Sequence, residues 1–308
     1  MEAIKFTEVQ DVNFGRCMKM ENSFVELLVT LDFGPRVIYY ALCGHENTLY
    51  QDPTHRALGQ PIDVYEGDIC RLYGGHRLWI SPEVLPRCYH PDNLPVECIE
   101  IPNGLEFIAP IEKFNQIQKS MAITLRKNSG EIEIIHKVIN RGLWEIELAP
   151  WAITQLAPGG VAAIPIIGSN TGLLPNRRMT FWDYSNLGDE RLTLGCEYAI
   201  ICQSPEVKQA FKFGLYNHSG FGVYFNKGQA FYKHFDAIDG QYPDFGCNFE
   251  LYVNGNFLEN ESLGRLATIG HGEYVTHKET WQLLPESEMP KTEADAAKII
   301  RKHLNENS

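Results

Sequence analysis

The sequence lacks the patterns that mark membrane proteins, exported proteins and nucleic-acid-binding proteins. No stretch approaches the roughly 20 apolar residues that span a bilayer, and the first ten residues contain no basic segment followed by an apolar one. No run of Lys and Arg offsets the formal charge of −12, which repels phosphate backbones and anionic lipids. We therefore expect no nucleic-acid partner, no membrane partner and a cytoplasmic location.

Metal-binding spacings are also missing. The 8 cysteines include no CxxC pair, so neither a zinc knuckle nor a compact disulfide framework is indicated. The 10 histidines include no HExxH or other regular metal-ligand spacing. We predict reduced, mostly buried thiols, no cofactor and no metal, although a calcium site made of carboxylates and carbonyls stays an alternative.

Short segments rich in β-branched and aromatic residues, separated by Gly, Asn, Asp or Pro, make up most of the chain. In EIEIIHKVIN, alternation puts Ile132, Ile134, His136 and Val138 on one face, as in a half-buried strand. No alternation of strands with helices accompanies them, and no repeat or linker marks a boundary. The sequence therefore predicts one all-β domain of large antiparallel sheets over residues 1–308, as a monomer or homodimer.

One helix is predicted near the end of the chain, at about residues 292–304. Thr292 and Asp295 are the capping pair predicted at its start. Apolar side chains recur at helical spacing behind this pair, on a face that we expect to dock on the sheets. The residues on that face are Ala296, Ile299, Ile300 and His303.

The densest group of reactive side chains lies in RLYGGHRLWISPE, where His76, Arg77, Trp79 and Glu83 follow two glycines. The Arg77 guanidinium presents a planar fork of donors that matches vicinal hydroxyls or a carboxylate. The face of Trp79 suits the apolar face of a pyranose ring. The alternative is a tight hairpin with a structural Arg–Glu pair and a core tryptophan.

Three further segments supply candidate binding residues. ELAPWAITQLAPGG carries Trp151 and Gln155, which suit sugar hydroxyls, although Trp151 is equally explained as a core aromatic. LLPNRRMTFWDYSN carries Arg177, which would favour an anionic sugar if it faced a cleft. In KHFD, His234 and Asp236 share a strand face and form a candidate pair.

Carboxylates cluster in FELYVNGNFLENESL, where Asn254 and Gly255 indicate a hairpin between two strands. Alternation places Glu259 and Glu261 on one face among apolar neighbours, and Glu250 lies on the preceding strand. Burial there would raise a carboxyl pKa toward the range of a general base. Exposed strand glutamates are the alternative.

Five segments together resemble the galactose-mutarotase-like superfamily, and the similarity covers nearly the whole chain. The segments are GGHRLWISPE, APWAITQLAPGG, LPNRRMTFWDY, YPDFGCNFELYVN and ESLGRLATIGHGEYVTHKETWQL. The resemblance implies an all-β galactose-mutarotase-like β-supersandwich with a carbohydrate site on one sheet face. Members of the superfamily include aldose 1-epimerases, sugar-phosphate epimerases, glycosidases and lyases, so the fold alone does not assign an activity.

The epimerases of this superfamily use a late-strand Glu as base and a His as acid to open the sugar ring. The resemblance puts Glu261 at the base position, with Glu250 and Glu259 as near alternatives. It puts Trp151 where the epimerases carry the acid, and His76 or a water is therefore our first candidate for that role. Histidines elsewhere in the chain are further candidates for the acid, namely His136 and His234.

Two classes of function follow from the resemblance. The first is an aldose 1-epimerase-like isomerase that binds a small-molecule carbohydrate and interconverts its anomers. The second is a non-catalytic carbohydrate-binding or sensing protein, which the tryptophan at position 151 favours. Lyase or glycoside hydrolase activity on the same fold is a further alternative.

Overall fold

The computed structural model describes residues 4–58, 63–286 and 288–306 and has an all-β architecture. Short 3-10 turns occur at Asp63–Tyr65 and Arg87–Tyr89, and a turn with left-handed backbone angles at Asp244 and Phe245 occurs at Pro243–Gly246. The strands, in chain order, are β1 (Lys5–Asp11), β2 (Gly15–Glu21), β3 (Val25–Thr30), β4 (Val37–Leu42), β5 (Gln51–Ala57), β6 (Arg71–Gly74), β7 (His76–Ser81), β8 (Glu97–Ile101), β9 (Gly104–Ile108), β10 (Ile117–Leu125), β11 (Glu131–Asn140), β12 (Ile146–Leu156), β13 (Val161–Pro165), β14 (Met179–Phe181), β15 (Leu192–Leu194), β16 (Tyr198–Cys202), β17 (Phe211–Leu215), β18 (Phe221–Asn226), β19 (Gln229–Phe235), β20 (Phe249–Val253), β21 (Leu258–Leu263), β22 (Ala267–Ile269) and β23 (Tyr274–Pro285).

Two large antiparallel sheets contain almost all of these strands. The first sheet has 11 strands in the order β1-β2-β3-β4-β7-β12-β21-β20-β17-β14, with β22 also paired to β12. The second sheet has 10 strands in the order β15-β16-β13-β18-β19-β23-β11-β10-β9-β8, and β5 and β6 form a small separate pair. The prediction of large antiparallel sheets is confirmed.

The main hydrophobic core lies between the two large sheets. Alternation on β11 is as predicted, because Ile132, Ile134, His136 and Val138 are all buried. Trp281 on β23 packs against Tyr40 of the first sheet, with ring centroids 5.6 Å apart. The inward side chains of both sheets therefore share one layer of contacts.

The hairpin predicted around Asn254 and Gly255 joins β20 to β21. Its connection is longer than a two-residue turn, because the strands stop at Val253 and resume at Leu258. The Asn254 side chain accepts hydrogen bonds from the backbone N–H groups of Asn256 and Phe257, at 2.7 and 3.2 Å. This asparagine turn fixes the register that aligns Glu250 with Glu261.

The predicted C-terminal helix is present at Glu293–Glu306. Its capping pair is confirmed: the Asp295 N–H donates to Thr292 Oγ1 at 3.2 Å, and the Thr292 N–H donates to Asp295 Oδ2 at 3.0 Å. The predicted apolar face is buried against the outer side of the second sheet. Within the described part of the chain, no helix is long and apolar enough to cross a membrane.

None of the 8 cysteines forms a disulfide. Four of them, rather than most, are buried; these are Cys17, Cys70, Cys88 and Cys247.

Candidate functional site

A cleft of about 360 Å³ opens on the face of the first sheet that points away from the second sheet. Its floor comes from neighbouring strands β7, β12, β21, β20 and β17. Because alternate side chains of a strand point to opposite faces, neighbouring residues of one strand that reach the cleft are two apart, as Arg77 and Trp79 are. The volume suits a small ligand about the size of a monosaccharide.

Strand register places the polar floor of the cleft in one row. Gln155 on β12 lies opposite Glu259 on β21, which lies opposite Tyr252 on β20, which lies opposite Lys212 on β17. Four residues along β12 from Gln155, Trp151 lies opposite Trp79, with ring centroids 5.7 Å apart at 74°. The floor therefore combines a polar row with an aromatic surface.

Glu259 is the acidic group of the floor, and 8% of its surface is exposed. Its Oε1 atom accepts a hydrogen bond from Gln155 Nε2 at 2.7 Å. Burial, together with the nearby negative charge of Glu261, raises the pKa of Glu259 to about 7. A carboxyl group with this pKa exchanges a proton readily at neutral pH.

Arg77 lies beside Glu259, with its Nη2 atom 3.8 Å from Glu259 Oε1. Its guanidinium also stacks over the Trp79 ring, 4.4 Å from the ring centroid. Among the described residues, Arg77 Nε and Nη1 have no hydrogen-bond partner, and neither does Gln155 Oε1. Buried, unpaired donors and an acceptor therefore lie beside the cleft, on side chains that line it.

Lys212 connects the cleft to two carboxylates behind it. Its Nζ atom lies 2.7 Å from Glu250 Oε2 and 2.9 Å from Glu261 Oε2, and both glutamates are fully buried. Burial opposes charge on this ammonium, but the two carboxylates outweigh it and hold the pKa of Lys212 well above its ordinary value. Burial raises the pKa of Glu250 well above its ordinary range; the Lys212 ammonium opposes this rise, and the charge of Glu261 adds to it.

The Trp151 indole completes this group by donating to Glu261 Oε2 at 2.7 Å. Lys212 Nζ lies 4.7 Å from the Trp151 ring centroid and 4.6 Å from that of Trp182. Trp151 and Lys212 both line the cleft, whereas Glu261 lies behind them. Glu261 therefore binds two side chains that line the cleft, whereas the Glu259 side chain itself faces the interior of the cleft.

The structure brings several predicted site residues together in this cleft. Glu83 lies on its rim and accepts a hydrogen bond from the Tyr89 hydroxyl. Glu250 and Glu261 contribute through Lys212 instead of lining the cleft. The predicted residues that line it are Arg77, Trp79, Glu83, Trp151 and Gln155.

His76 does not lie in the cleft, contrary to the prediction that it acts with Glu261. The two residues project from opposite faces of the first sheet, because His76 is aligned with Thr154 and Glu261 with the next residue back, Ile153. His76 is fully buried between the sheets, where its Nε2 atom lies 2.7 Å from His136 Nε2. The same burial removes His136 from the candidates for an acid in the cleft.

His234 and Arg177 also lie elsewhere. His234 belongs to the second sheet, where its ring stacks on Tyr232 at 6.0 Å between centroids, on the side of the C-terminal helix. Arg177 is exposed in a separate surface pocket and donates to the Cys196 carbonyl oxygen at 2.7 Å. Neither residue reaches the cleft on the first sheet.

Lys212 is a functional candidate that was missed in the sequence. The signal was present in FKFGL, because a lysine between two inward-facing phenylalanines must point to the opposite, cleft-facing side. Other contributors to the cleft come from loops and strand ends with weak sequence signals. These are Leu58, Leu72, Tyr89, Ala210, Tyr252 and Phe257. Trp182 and Tyr184 also line the cleft, and they come from LLPNRRMTFWDYSN, a segment that the sequence does single out.

One side-chain cluster within the described residues has ligand atoms close enough to hold a metal ion, namely His76, His136 and Glu279. The three atoms lie within 4.8 Å of one another, between the two sheets. Lys233 Nζ lies 2.8 Å from Glu279 Oε1, so this cluster already contains a positively charged group. The distance of 2.7 Å between His76 Nε2 and His136 Nε2 is that of a hydrogen bond between the two rings.

Comparison with known proteins gives a match to structures alone, since neither a protein-family model nor a curated protein sequence matches the chain. A candidate aldose 1-epimerase from Klebsiella pneumoniae superposes with a TM-score of 0.63 at 12% identity, over 97% of this chain and 86% of that chain. A candidate mutarotase from Salmonella typhimurium gives 0.57 at 11% identity, over 92% and 94%. A galactose mutarotase-like protein from Clostridium acetobutylicum gives 0.54 at 13% identity, over 92% and 99%. The chain therefore has the galactose-mutarotase-like fold, the all-β supersandwich that its motifs resemble.

Proposed function

We propose that this chain is an aldose 1-epimerase-like isomerase that binds a small-molecule carbohydrate in the cleft and interconverts its anomers. The proposal depends on one observation: Glu259, with a pKa of about 7, faces a cleft lined by tryptophans and unpaired polar donors. Aromatic faces bind the apolar side of a sugar ring, and a few polar side chains in the same cleft bind its hydroxyls. The structural neighbours described as candidate epimerases agree with this reading.

In the proposed reaction, the Glu259 carboxylate removes the proton of the anomeric hydroxyl. The bond between the anomeric carbon and the ring oxygen then breaks, and water in the cleft delivers a proton to that oxygen, leaving a hydroxide that takes the proton back on reclosure. Arg77 and Lys212, the cations that line the cleft, stabilise the developing negative charge on the ring oxygen. Rotation of the free aldehyde and reclosure in the reverse sequence give the other anomer.

A non-catalytic carbohydrate-binding or sensing role is the second candidate. No histidine is found among the described residues that line the cleft, and Trp151 occupies the position that the resemblance assigns to an acid. Such a protein would use the same aromatic surface and the same unpaired donors to hold a sugar. It would not accelerate anomer exchange.

The decisive experiment is an anomerisation assay with the Glu259→Gln variant. Free aldoses, uronic acids and sugar phosphates are first screened by thermal shift, and each one that stabilises the protein enters a polarimetric or NMR exchange assay. Loss of a positioned general base lowers the rate by about 10²–10⁴-fold. We expect this loss in kcat. Sugar affinity should stay within a few-fold, because the amide oxygen introduced by Glu259→Gln can still accept the hydrogen bond from Gln155 Nε2.

The matched control is Glu100→Gln, which neutralises an exposed carboxylate on β8 of the other sheet. We expect this variant to keep the full rate. Unchanged turnover in Glu259→Gln would remove Glu259 from the mechanism. Sugar binding without exchange in the unmodified protein would replace the isomerase proposal by the binding role.

A further inference from the structure

A buried lysine lies directly behind the cleft, on the inner side of the first sheet. Lys233, on β19 of the second sheet, is fully buried and reaches across the interior. Its Nζ atom lies within 3.0 Å of four acceptors. These are the Ala152 carbonyl oxygen (2.8 Å), the Asn260 carbonyl oxygen (2.9 Å), Thr154 Oγ1 (3.0 Å) and Glu279 Oε1 (2.8 Å).

Two of these acceptors are backbone atoms of the strands that carry the cleft. Ala152 lies between Trp151 and Ile153 on β12, both of which line the cleft. Asn260 lies between Glu259 and Glu261 on β21. One ammonium group therefore binds both strands from behind, at the level of the side chains that face the cleft.

Glu279 on β23 holds the ammonium in place. Its Oε1 atom also accepts from Ser262 Oγ at 2.5 Å, and its Oε2 atom accepts from Trp281 Nε1 at 2.8 Å. Burial opposes ionisation of Glu279, but the positive charge of Lys233 outweighs it and lowers the pKa of this carboxyl, which stays ionised. A hydrogen-bonded ion pair of this kind has little positional freedom.

A chain of hydrogen bonds restrains Lys233 from its other side. Lys233 donates to Thr154 Oγ1, which donates to His76 Nδ1 at 2.9 Å, and His76 Nε2 then donates to His136. His136 Nδ1 donates to the His277 carbonyl oxygen at 3.0 Å. This is the one assignment of donors along the chain in which both histidines are neutral and every contact has one proton.

We propose that Lys233 is a positioning residue that sets the spacing of β12 and β21, and through it the geometry of Trp151 and Glu259 in the cleft. The role of Glu259 as a base comes from the proposed function, but the positioning itself does not depend on any reaction. Lys233 acts through the two strand backbones and contacts no ligand.

The test uses indole NMR resonances of the double variant Lys233→Met/Glu279→Gln, which removes both buried charges and so avoids an unpaired one. The chain has 5 tryptophans, whose indole N–H signals are assigned by single Trp→Phe variants. We expect the Trp151 indole signal to move, because its hydrogen bond to Glu261 spans β12 and β21. Trp144 is 81% exposed and its signal should not move.

The matched control is Lys278→Met/Glu133→Gln, which removes an ion pair (2.5 Å) between β23 and β11 on the outer side of the second sheet. It should leave the Trp151 signal in place. A Trp151 signal that is unchanged in Lys233→Met/Glu279→Gln would overturn the proposal, even if the variant has a lower melting temperature. A single Glu279→Gln variant keeps the ammonium and should give the smaller shift.

A second measurement separates this proposal from the proposed function. If the protein catalyses anomer exchange, the double variant should lower kcat at least tenfold and change KM less, because binding groups remain while the base is displaced. If no sugar is turned over, the indole shift still decides the positioning role. A loss that fell entirely on KM would contradict the positioning of Glu259.

Discussion

At the scale of single residues, Glu259 has a consequence for stability that can be measured without a ligand. Burial raises the pKa of this carboxyl from its ordinary 4.5 to about 7, so between these pH values the folded state holds a proton that the unfolded state has lost. The free energy of unfolding therefore falls as pH rises through this window, by on the order of 3 kcal/mol from this group.

The measurement is urea unfolding of the unmodified protein and the Glu259→Gln variant at a series of pH values from 4.5 to 8. Because Gln does not titrate, the variant should gain stability relative to the unmodified protein as pH rises. The other titrating groups are shared by both proteins and cancel in the difference. A difference that is constant with pH would mean that Glu259 keeps an ordinary pKa.

Residue placement within the cleft was predictable only where strand alternation was applied strictly. Arg77 and Trp79 are two apart and both reach the cleft, whereas His76 must point to the opposite face of β7. Sequence proximity alone suggested that His76 and Arg77 share a site. The sequence also could not show that Glu259, and not Glu261, faces the cleft. Glu261 is buried behind Trp151, and this burial depends on the register between β12 and β21.

At the scale of elements, Lys212 joins three strands of the first sheet. From β17 it pairs with Glu250 on β20 and Glu261 on β21, and all three side chains are buried. Removing one member of a buried ion pair leaves an uncompensated charge, which costs about 3–5 kcal/mol. We expect Lys212→Met to lower the free energy of unfolding by this amount.

The control is Lys208→Met, at an exposed position just before β17. It should change the free energy of unfolding by less than about 0.5 kcal/mol. The double variant Lys212→Met/Glu261→Gln removes two of the three charged groups and should recover part of the loss. No recovery in chemical denaturation would indicate that Lys212 stabilises the sheet through packing on Trp151 and Trp182 instead.

Element types were predicted well because they depend on local periodicity. Alternation identified β11, and the capping pair of Thr292 and Asp295 identified the C-terminal helix within a few residues. The order of strands in the sheets was not predictable in this way. The neighbours of β12 are β7 (His76–Ser81) and β21 (Leu258–Leu263), and pairing between strands so distant in sequence leaves no local pattern.

At the scale of the whole molecule, both large sheets contribute to the same buried layer. Tyr40 of the first sheet and Phe231 of the second sheet both pack on Trp281, with ring centroids 5.6 and 5.2 Å away. Lys233 and Glu279 add a buried ionic link from the second sheet to β12 and β21 of the first. Neither sheet can bury its inward face without the other.

We therefore expect the two sheets to unfold together, as the prediction of one domain over residues 1–308 requires. Far-UV circular dichroism reports the strands of both sheets, whereas tryptophan fluorescence is weighted toward Trp281 and the tryptophans of the cleft. In urea, the two signals should give coincident transitions, and pulse proteolysis at the midpoint should leave no protected fragment. A core shared by two sheets is lost from both at once. Separate midpoints, or a stable fragment containing one sheet, would therefore show that the sheets are independent folding units.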